Sequence, residues 1–196
     1  MSAVLAIGNG ESRSQLDLKL FLPSFISVGC NAIARDHIVD HLICVDRRMV
    51  KEALETPLEK IYTRFLWLNN FSSQKVLAVP ELPYQGDQRA DEPFHWGSGP
   101  YAVLLAAQLA NSEVWMIGFD LYDTDKKINN VYKGTDNYLK ADARSVDPSY
   151  WIHQTAKVFE CFPNIHFKIF NNENWALPEK WKKSNVEVLT YKYFRI

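Results

Sequence analysis

Short apolar runs and segments of helical pattern alternate along most of the chain. The runs that predict buried strands lie at residues 4–7, 25–28, 41–45, 63–68, 75–80, 113–119, 165–170 and 186–193. Patterns that predict helices lie at residues 14–22, 32–36, 47–60, 101–110 and 150–162. Strands that alternate with helices favour an α/β fold with a mainly parallel sheet and right-handed crossovers. We therefore expect a single domain, residues 1–196, in which helices cover both faces of a twisted sheet.

The first predicted strand runs directly into Gly8-Asn9-Gly10, and Ser12 follows closely. We expect Gly8 and Gly10 to turn the chain with positive φ and to let the backbone approach a ligand, and Ser12 to cap the next helix. Free amide groups and the helix dipole would then favour a bound anion such as phosphate. A plain strand-to-helix turn is the alternative, because the stretch completes neither a Gly-x-Gly-x-x-Gly nor a Walker motif.

Polar residues also follow other predicted strands. Asn31 comes after the second strand, Asp46 after the third and Asp120 after the sixth. Ligands of open α/β sheets bind at the carboxyl ends of the strands, so we expect these side chains to meet the first turn there. Ser98 and Gly99 begin the most apolar helix, and Ser98 is its expected N-cap. The combined pattern predicts a Rossmann-like nucleotide-binding domain.

Two long polar stretches interrupt this pattern, at residues 82–97 and 123–147. Long loops within a compact domain are usually functional or disordered. We interpret residues 123–147 as a lid beside the ligand, and a mobile surface loop is the alternative.

Composition and charge narrow the class of protein. The 196 residues carry a formal net charge of −1, so no basic field favours nucleic acid as a partner. The chain shows no basic leader and no apolar run near ~18 residues, which predicts neither a signal peptide nor a membrane span and favours a cytoplasmic location. Cys30, Cys44 and Cys161 form no Cys-x-x-Cys pair, which favours buried free thiols in a reducing compartment.

Aspartates are the candidate metal ligands of the sequence. Asp46, Asp120 and Asp123 have carboxylate oxygens of the kind that bind divalent cations. An aspartate behind a strand is as often a helix cap or a loop brace, and the sequence contains no spaced His/Cys cluster. We therefore predict that the protein works without a metal.

Four motifs carry a resemblance to a known family: Gly8-Asn9-Gly10-x-Ser12, Cys30-Asn31, Ser98-Gly99-x-Tyr101 and Ile117-Gly118-Phe119-Asp120-Leu121-Tyr122. Together they look like the bacterial sialyltransferases that extend lipooligosaccharides. The likeness covers roughly the first 31 residues and residues 96–122, with His153 beyond them. It implies a single Rossmann-like domain with a lid, CMP-activated sialic acid as the donor and no metal. The glycine turn also resembles, more distantly, the ATP-using 6-hydroxymethylpterin diphosphokinase-like family.

The resemblance implies roles for the matching residues in binding the nucleotide. Asn9, Gly10 and Asn31 would hold its phosphate and ribose, while Ser98 and Gly99 would lie against its base and sugar. The chain departs from the family at two positions: Glu11 stands in place of a proline and Asp46 in place of an asparagine.

The resemblance also implies the catalytic groups. Tyr122 and Tyr132 would donate hydrogen bonds to the departing phosphate, and His153 would be the general base that takes the proton of the acceptor. Histidine can accept a proton near neutral pH, and tyrosine hydroxyls can stabilise a developing charge without a metal. A lone histidine on a helix is also commonly a packing residue, so that interpretation of His153 stays open.

Three functions fit these observations. The first is a glycosyltransferase that moves a sugar from a nucleotide-sugar, CMP-linked by the resemblance, to a glycan hydroxyl by direct displacement and without a cofactor. The second is an ATP-dependent pyrophosphokinase that needs magnesium and uses Asp46 or Asp120 as a ligand. The third is a nucleotide-binding protein without catalytic activity.

Overall fold

A single parallel sheet organises the chain. The computed structural model describes residues 3–71, 75–122 and 127–194, and their eight strands are all parallel. The strand order is β5-β4-β3-β2-β1-β6-β7-β8. The strands are β1 Val4–Ile7, β2 Ile26–Cys30, β3 His41–Ile43, β4 Lys60–Thr63, β5 Lys75–Ala78, β6 Glu113–Ile117, β7 His166–Asn171 and β8 Val186–Thr190. This arrangement confirms the predicted α/β, Rossmann-like fold.

Four α-helices connect the strands: α1 Leu18–Phe21, α2 Arg47–Ala53, α3 Ser98–Leu109 and α4 Ser149–Cys161. Short 3₁₀ helices complete the connections, at Glu11–Gln15, Leu22–Ser24, Asn31–Arg35, Leu66–Phe71, Arg89–Asp91, Pro93–His95, Glu179–Trp181 and Tyr191–Phe194. Within the described ranges, none of these helices combines the length and the apolar character that crossing a bilayer requires.

Helices cover both faces of the sheet. Val4 and Ala6 of β1 face a core that contains α3 and α4, whereas the alternating Leu5 and Ile7 face a core that contains α2. Successive side chains of a strand point to opposite faces, so a strand covered on both sides must be apolar throughout. The uninterrupted apolar run of β1 is therefore what the double burial requires.

Helix α3 is the most deeply buried helix, as its sequence predicts. Each residue from Tyr101 to Ala107 is buried, and the helix packs against β1, β2, β3, β6 and α4. A helix that is apolar on all sides is stable only when it is covered on all sides. Pro100 lies in its first turn, where the missing N–H breaks no helical hydrogen bond.

Several predicted elements differ in the structure. The helix predicted at residues 14–22 is divided into the 3₁₀ helix Glu11–Gln15 and α1, and the strand predicted at residues 186–193 ends at Thr190. The strand predicted at residues 63–68 is wrong, because β4 ends at Thr63 and Leu66–Phe71 is a 3₁₀ helix. The Thr63 hydroxyl accepts the Phe65 N–H at 3.2 Å and so diverts that group from the sheet. The helix predicted at residues 47–60 ends at Ala53, before Pro57, which disfavours helical backbone in the residue preceding it.

Gly8 and Gly10 bring the ends of β1 and β6 together, and neither has positive φ. Their N–H groups donate to Ile117 O and Gly118 O, both at 2.8 Å. A Cβ on Gly8 would lie 2.2 Å from Gly118 O, and one on Gly10 would lie 2.4 Å from the carboxyl carbon of Asp120. The predicted positive φ is therefore wrong, and glycine is needed here because two parts of the chain lie in contact.

We expect Gly8→Ala to lower the free energy of unfolding by about 3 kcal/mol or more, at the upper end of overpacking effects, because the opposing atom belongs to the backbone. Urea denaturation measures this change. Gly99→Ala is the control, since a Cβ there would meet only the Phe119 ring, at 3.6 Å. Equal stability of the Gly8 variant and the wild type would contradict this account of the turn.

Candidate functional site

A cavity of about 560 Å³ opens at the carboxyl ends of β1, β2, β3 and β6. Its floor lies where the chain order of the sheet reverses, between β1 and β6, which is the usual ligand position in open α/β sheets. Residues predicted for nucleotide binding line it together: Gly8, Asn9, Gly10, Asn31, Asp46, Ser98, Gly99 and Asp120. The sequence therefore located the cavity, although several of its residues have other contacts than those predicted.

Ser98 joins three elements of the cavity wall. Its hydroxyl donates to Asn31 Oδ1 at 2.8 Å and accepts the Val45 N–H at 3.1 Å. Gly97, not Ser98, is the N-cap of α3, so the predicted capping role is wrong. Asn31 has a φ of +52°, a left-handed conformation that asparagine adopts more readily than most residues. This network fixes the ends of β2 and β3 against the start of α3.

The first turn of α3 presents free backbone donors to the cavity. Ser98 and Gly99 line the cavity, and no described residue accepts a hydrogen bond from either amide. The preceding N–H, of Gly97, is bound to Gln154 Oε1 at 3.3 Å. Unpaired amides and the positive end of the dipole make the start of a helix a favourable position for an anion.

Four amides at the glycine turn after β1, by contrast, are occupied. Besides the bonds of Gly8 and Gly10, the Glu11 N–H donates to Asn129 Oδ1 and the Ser12 N–H to Asp120 Oδ2, both at 2.8 Å. The anion at this turn is thus the carboxylate of Asp120. The amides of Ser98 and Gly99 differ from these four in having no acceptor among the described residues, and a phosphate between the glycine turn and the start of α3 stays a prediction.

Ser12 binds Asp120 and does not cap a helix. Its hydroxyl donates to Asp120 Oδ1 at 2.5 Å and lies 2.8 Å from the hydroxyl of Tyr191. Gly10 is the N-cap of the 3₁₀ helix that follows, which corrects the capping prediction for Ser12. Asp120 is 3% exposed, and burial raises the pKa of its carboxyl, although the hydrogen bonds from Ser12 act in the opposite direction.

Asn9 connects the end of β1 to both sides of the cavity. Its Nδ2 donates to Cys30 O at 3.0 Å and lies 3.5 Å from the hydroxyl of Tyr138. Its backbone carbonyl accepts the Val131 N–H at 2.9 Å. Asn9 is 7% exposed, and its Oδ1 has no partner among the described residues.

The segment predicted as a lid lies beside the cavity. Its described part, residues 127–147, contributes Ile128, Asn129, Asn130, Asn137, Tyr138, Leu139, Ser145 and Val146 to the wall. Residues 123–126, including the candidate metal ligand Asp123, lie outside the described residues. An ion pair of 2.6 Å between Lys133 and Glu11 ties the segment to the glycine turn. Its movement as a lid stays a prediction.

The two tyrosines predicted to contact the departing phosphate are not in the described cavity wall. Tyr122 donates its hydroxyl to Ala176 O. Tyr132 is 5% exposed, and its hydroxyl accepts from Arg13 Nη2 at 2.8 Å. Tyr138, which the sequence analysis did not select, lines the cavity instead. Burial raises the pKa of the Tyr138 hydroxyl, so it remains a hydrogen-bond donor.

His153 is buried behind the cavity wall. Its Nε2 lies 2.7 Å from Asp91 Oδ1, which also accepts from the hydroxyl of Tyr84 at 2.8 Å. Trp151 and Thr155 line the cavity, and residues four apart lie on the same face of a helix. His153, two residues from each, therefore faces the opposite side of α4. This placement does not support a role as general base and favours a packing role.

Arg64, which the sequence analysis did not select, and His95 also line the cavity. The guanidinium of Arg64 donates to Phe94 O and Trp96 O and so holds the segment before α3. His95 Nε2 lies 3.3 Å from Glu92 Oε2 and 3.2 Å from Arg89 Nε. The sequence feature that points to the cavity wall here is the aromatic end of the long stretch at residues 82–97.

Asp46 remains exposed at the cavity, and its side chain makes no capping bond to α2. In residues 3–71, 75–122 and 127–194 no three His, Cys, Asp or Glu side chains gather in a way that could hold a metal ion.

The cysteines Cys30 and Cys44 are buried as free thiols, and burial raises the pKa of each thiol.

No family model, no curated protein and no solved structure matches the chain. The likeness to sialyltransferases therefore depends on the motifs alone, and the function must be argued from the cavity.

We expect His153→Ala to lower the free energy of unfolding by about 2 kcal/mol, because a buried carboxylate loses one charged hydrogen bond while it keeps those from Tyr84 and the Gln88 N–H. Chemical denaturation measures this loss. His166→Ala is the matched control: its imidazole lies 3.4 Å from Glu187, both side chains are 47% exposed, and surface pairs contribute about 0–1 kcal/mol. A variant of His153 with normal stability and no turnover would restore the general-base hypothesis.

Asp91 should make the protein sensitive to acid. Hydrogen bonds from His153, Tyr84 and the Gln88 N–H outweigh the opposing effect of burial and lower the pKa of Asp91. Its contribution to stability is therefore complete above the ordinary carboxyl pKa of about 3.9 and is lost as pH falls through the lower folded value.

The free energy of unfolding, measured between pH 2 and 6, should consequently fall more steeply in the wild type than in Asp91→Asn. Asp142→Asn changes an exposed carboxylate and should keep the slope of the wild type. Equal slopes for the wild type and Asp91→Asn would show that this buried carboxylate does not contribute.

Proposed function

We propose that this protein binds a nucleotide-sugar in the cavity and transfers the sugar to a glycan hydroxyl. The observation that carries the proposal is the pair of free amides, of Ser98 and Gly99, at the start of α3 in a cavity of about 560 Å³. Sites for small molecules typically have volumes of ~300–1,000 Å³. The motif resemblance to sialyltransferases supports a CMP-linked donor.

The phosphate of the donor would lie at the start of α3. The amides of Ser98 and Gly99 can each donate one hydrogen bond, and the helix dipole adds to their attraction for an anion. Gly99 supports this position, because a Cβ there would meet only Phe119, at 3.6 Å, and nothing in the packing requires glycine. The guanidinium of Arg64 supplies a positive charge on the same wall, with N–H groups beyond those bound to carbonyls.

The hydroxyl groups of the ribose and the sugar would meet the opposite wall. Asn9, Asn129 and Asn130 line it with amide groups, which both donate and accept hydrogen bonds. The carboxylate of Asp120 adds an acceptor and repels phosphate from the glycine turn. We infer a ligand with neutral hydroxyls near these side chains and a phosphate at the start of α3.

In the transfer step, the acceptor oxygen would attack the anomeric carbon as the bond from that carbon to the phosphate oxygen breaks. The amides of α3 would meet the charge that develops on the leaving phosphate, and Tyr138 can donate a further hydrogen bond. His95 replaces His153 as the candidate proton acceptor, because it lines the cavity. Its Nε2 accepts a hydrogen bond from Arg89 Nε at 3.2 Å and would exchange that bond for the proton of the hydroxyl.

Asp46 favours a second candidate, the ATP-dependent pyrophosphokinase. Its exposed carboxylate lies at the cavity and could hold a magnesium ion that carries the phosphates of ATP. The two candidates differ in their need for metal: the glycosyltransferase binds its donor without magnesium, whereas ATP binding by the pyrophosphokinase depends on it.

Thermal unfolding with CMP, UDP, GDP and ATP, each with and without magnesium, tests the proposal. We expect CMP without magnesium to raise the melting temperature by several degrees, since a ligand at 100 times its Kd stabilises by ~2.7 kcal/mol. Gly99→Val should abolish the shift, because its side chain would enter the space of the phosphate.

Gln108→Val is the matched control, as it adds a valine to the exposed side of the same helix and should leave the shift intact. A shift that occurs only with ATP and magnesium would favour the pyrophosphokinase. An unchanged CMP shift in Gly99→Val would contradict the phosphate position.

A further inference from the structure

An exposed aromatic ring stands at the mouth of the cavity. Phe94 lines the cavity and is 74% exposed. Two other exposed apolar residues line the same mouth, Leu139 at 50% and Val146 at 49%. Apolar groups gathered at the rim of a cavity commonly mark a binding surface. Their position indicates that the ligand has an apolar face at this end.

The ring of Phe94 is held in one orientation. The guanidinium carbon of Arg64 lies 5.4 Å from the ring centroid, within the range of a cation–π contact. The ring of His95 packs edge-on against it, with centroids 5.4 Å apart and an interplanar angle of 82°. Arg64 also holds the backbone of this segment through its bonds to Phe94 O and Trp96 O. Phe94 is thus an exposed ring on a fixed support.

Burial changes along the cavity wall. Asn9 at 7% and Asp120 at 3% exposed are buried polar residues of the lining, whereas its exposed residues are the apolar Phe94, Leu139 and Val146 together with the polar Asp46 and Asn137. A nucleotide-sugar, with its phosphate at α3, is suited to the enclosed polar part. The acceptor glycan continues into solvent beyond its reacting sugar, so it needs a support at the rim.

We propose that Phe94 is the stacking platform for the acceptor sugar. A pyranose ring carries a face of C–H bonds that packs on an aromatic ring, while its hydroxyls project from the edge. A sugar on Phe94 would lie beside His95, the candidate proton acceptor. This assignment of the acceptor site rests on the proposed function, but stacking of a sugar on Phe94 can be measured without turnover.

Saturation-transfer NMR with the methyl glycosides of glucose, galactose, mannose and N-acetylglucosamine tests the platform. We expect at least one glycoside to receive saturation on the C–H protons of a single face. Phe94→Ala should remove at least four-fifths of that signal, and Phe94→Trp should retain it because it preserves an aromatic face.

Trp67→Ala is the matched control. Trp67 is also an exposed aromatic residue beside an arginine, with Arg47 at 5.0 Å from its ring centroid, but it is not in the described cavity wall. This variant should keep the full glycoside signal. The melting-temperature shift with CMP should be the same in Phe94→Ala as in the wild type, because the donor does not touch the ring.

The outcomes separate this inference from the proposed function. Loss of the CMP shift in Phe94→Ala, with glycoside signals unchanged, would assign the ring to the nucleobase and overturn the acceptor site. Glycoside signals that are absent from the wild type, or equal in Phe94→Ala, would also overturn it. In a further outcome, the wild-type protein binds glycosides through Phe94 while no nucleotide changes its melting temperature. That result would refute the proposed donor but would support Phe94 as a sugar-binding residue.

Discussion

The contact between the ends of β1 and β6 determines where a ligand can bind. Two backbone segments lie side by side there because Gly8 and Gly10 have no side chains, and their amides pair with the end of β6. Asp120, just beyond β6, then reaches the Ser12 N–H and hydroxyl. A carboxylate of the protein thereby takes the place that phosphate has in many glycine turns. At the start of α3, the amides of Ser98 and Gly99 line the same cavity and have no acceptor among the described residues.

The fold could be predicted from the sequence because its central strands are buried on both faces. Such strands must be apolar throughout, and β1 shows this in its four residues. Helix α3 was equally clear, since its apolar side chains continue around the whole helix. The residues at which strands and helices end were less predictable, because a hydrogen bond from one polar side chain can determine them. The hydroxyl of Thr63 ends β4, and no hydrophobic pattern reports such a bond.

The site could be predicted as a location but not as a set of roles. Carboxyl ends of parallel strands converge, which is why Asn31, Asp46 and Asp120 meet at one cavity. The roles of His153 and Tyr132 depend on the rotation of a helix and the path of a long segment. His153 faces Asp91, and Tyr132 packs on Arg13. Tyr138, which lines the cavity, has no feature in the sequence that distinguishes it from the tyrosines selected.

The strand order also bears on how the protein folds. β1 is the first strand of the chain, yet its neighbours include β6, which begins at Glu113. The cavity wall needs both strands, and so it forms only after a loop of more than one hundred residues has closed. Pairings this distant in sequence slow folding, because the chain loses entropy before the contacts stabilise it. During synthesis, β1 can pair with β2 early, but β1 and the glycine turn contact β6 only after more than half of the chain has been made.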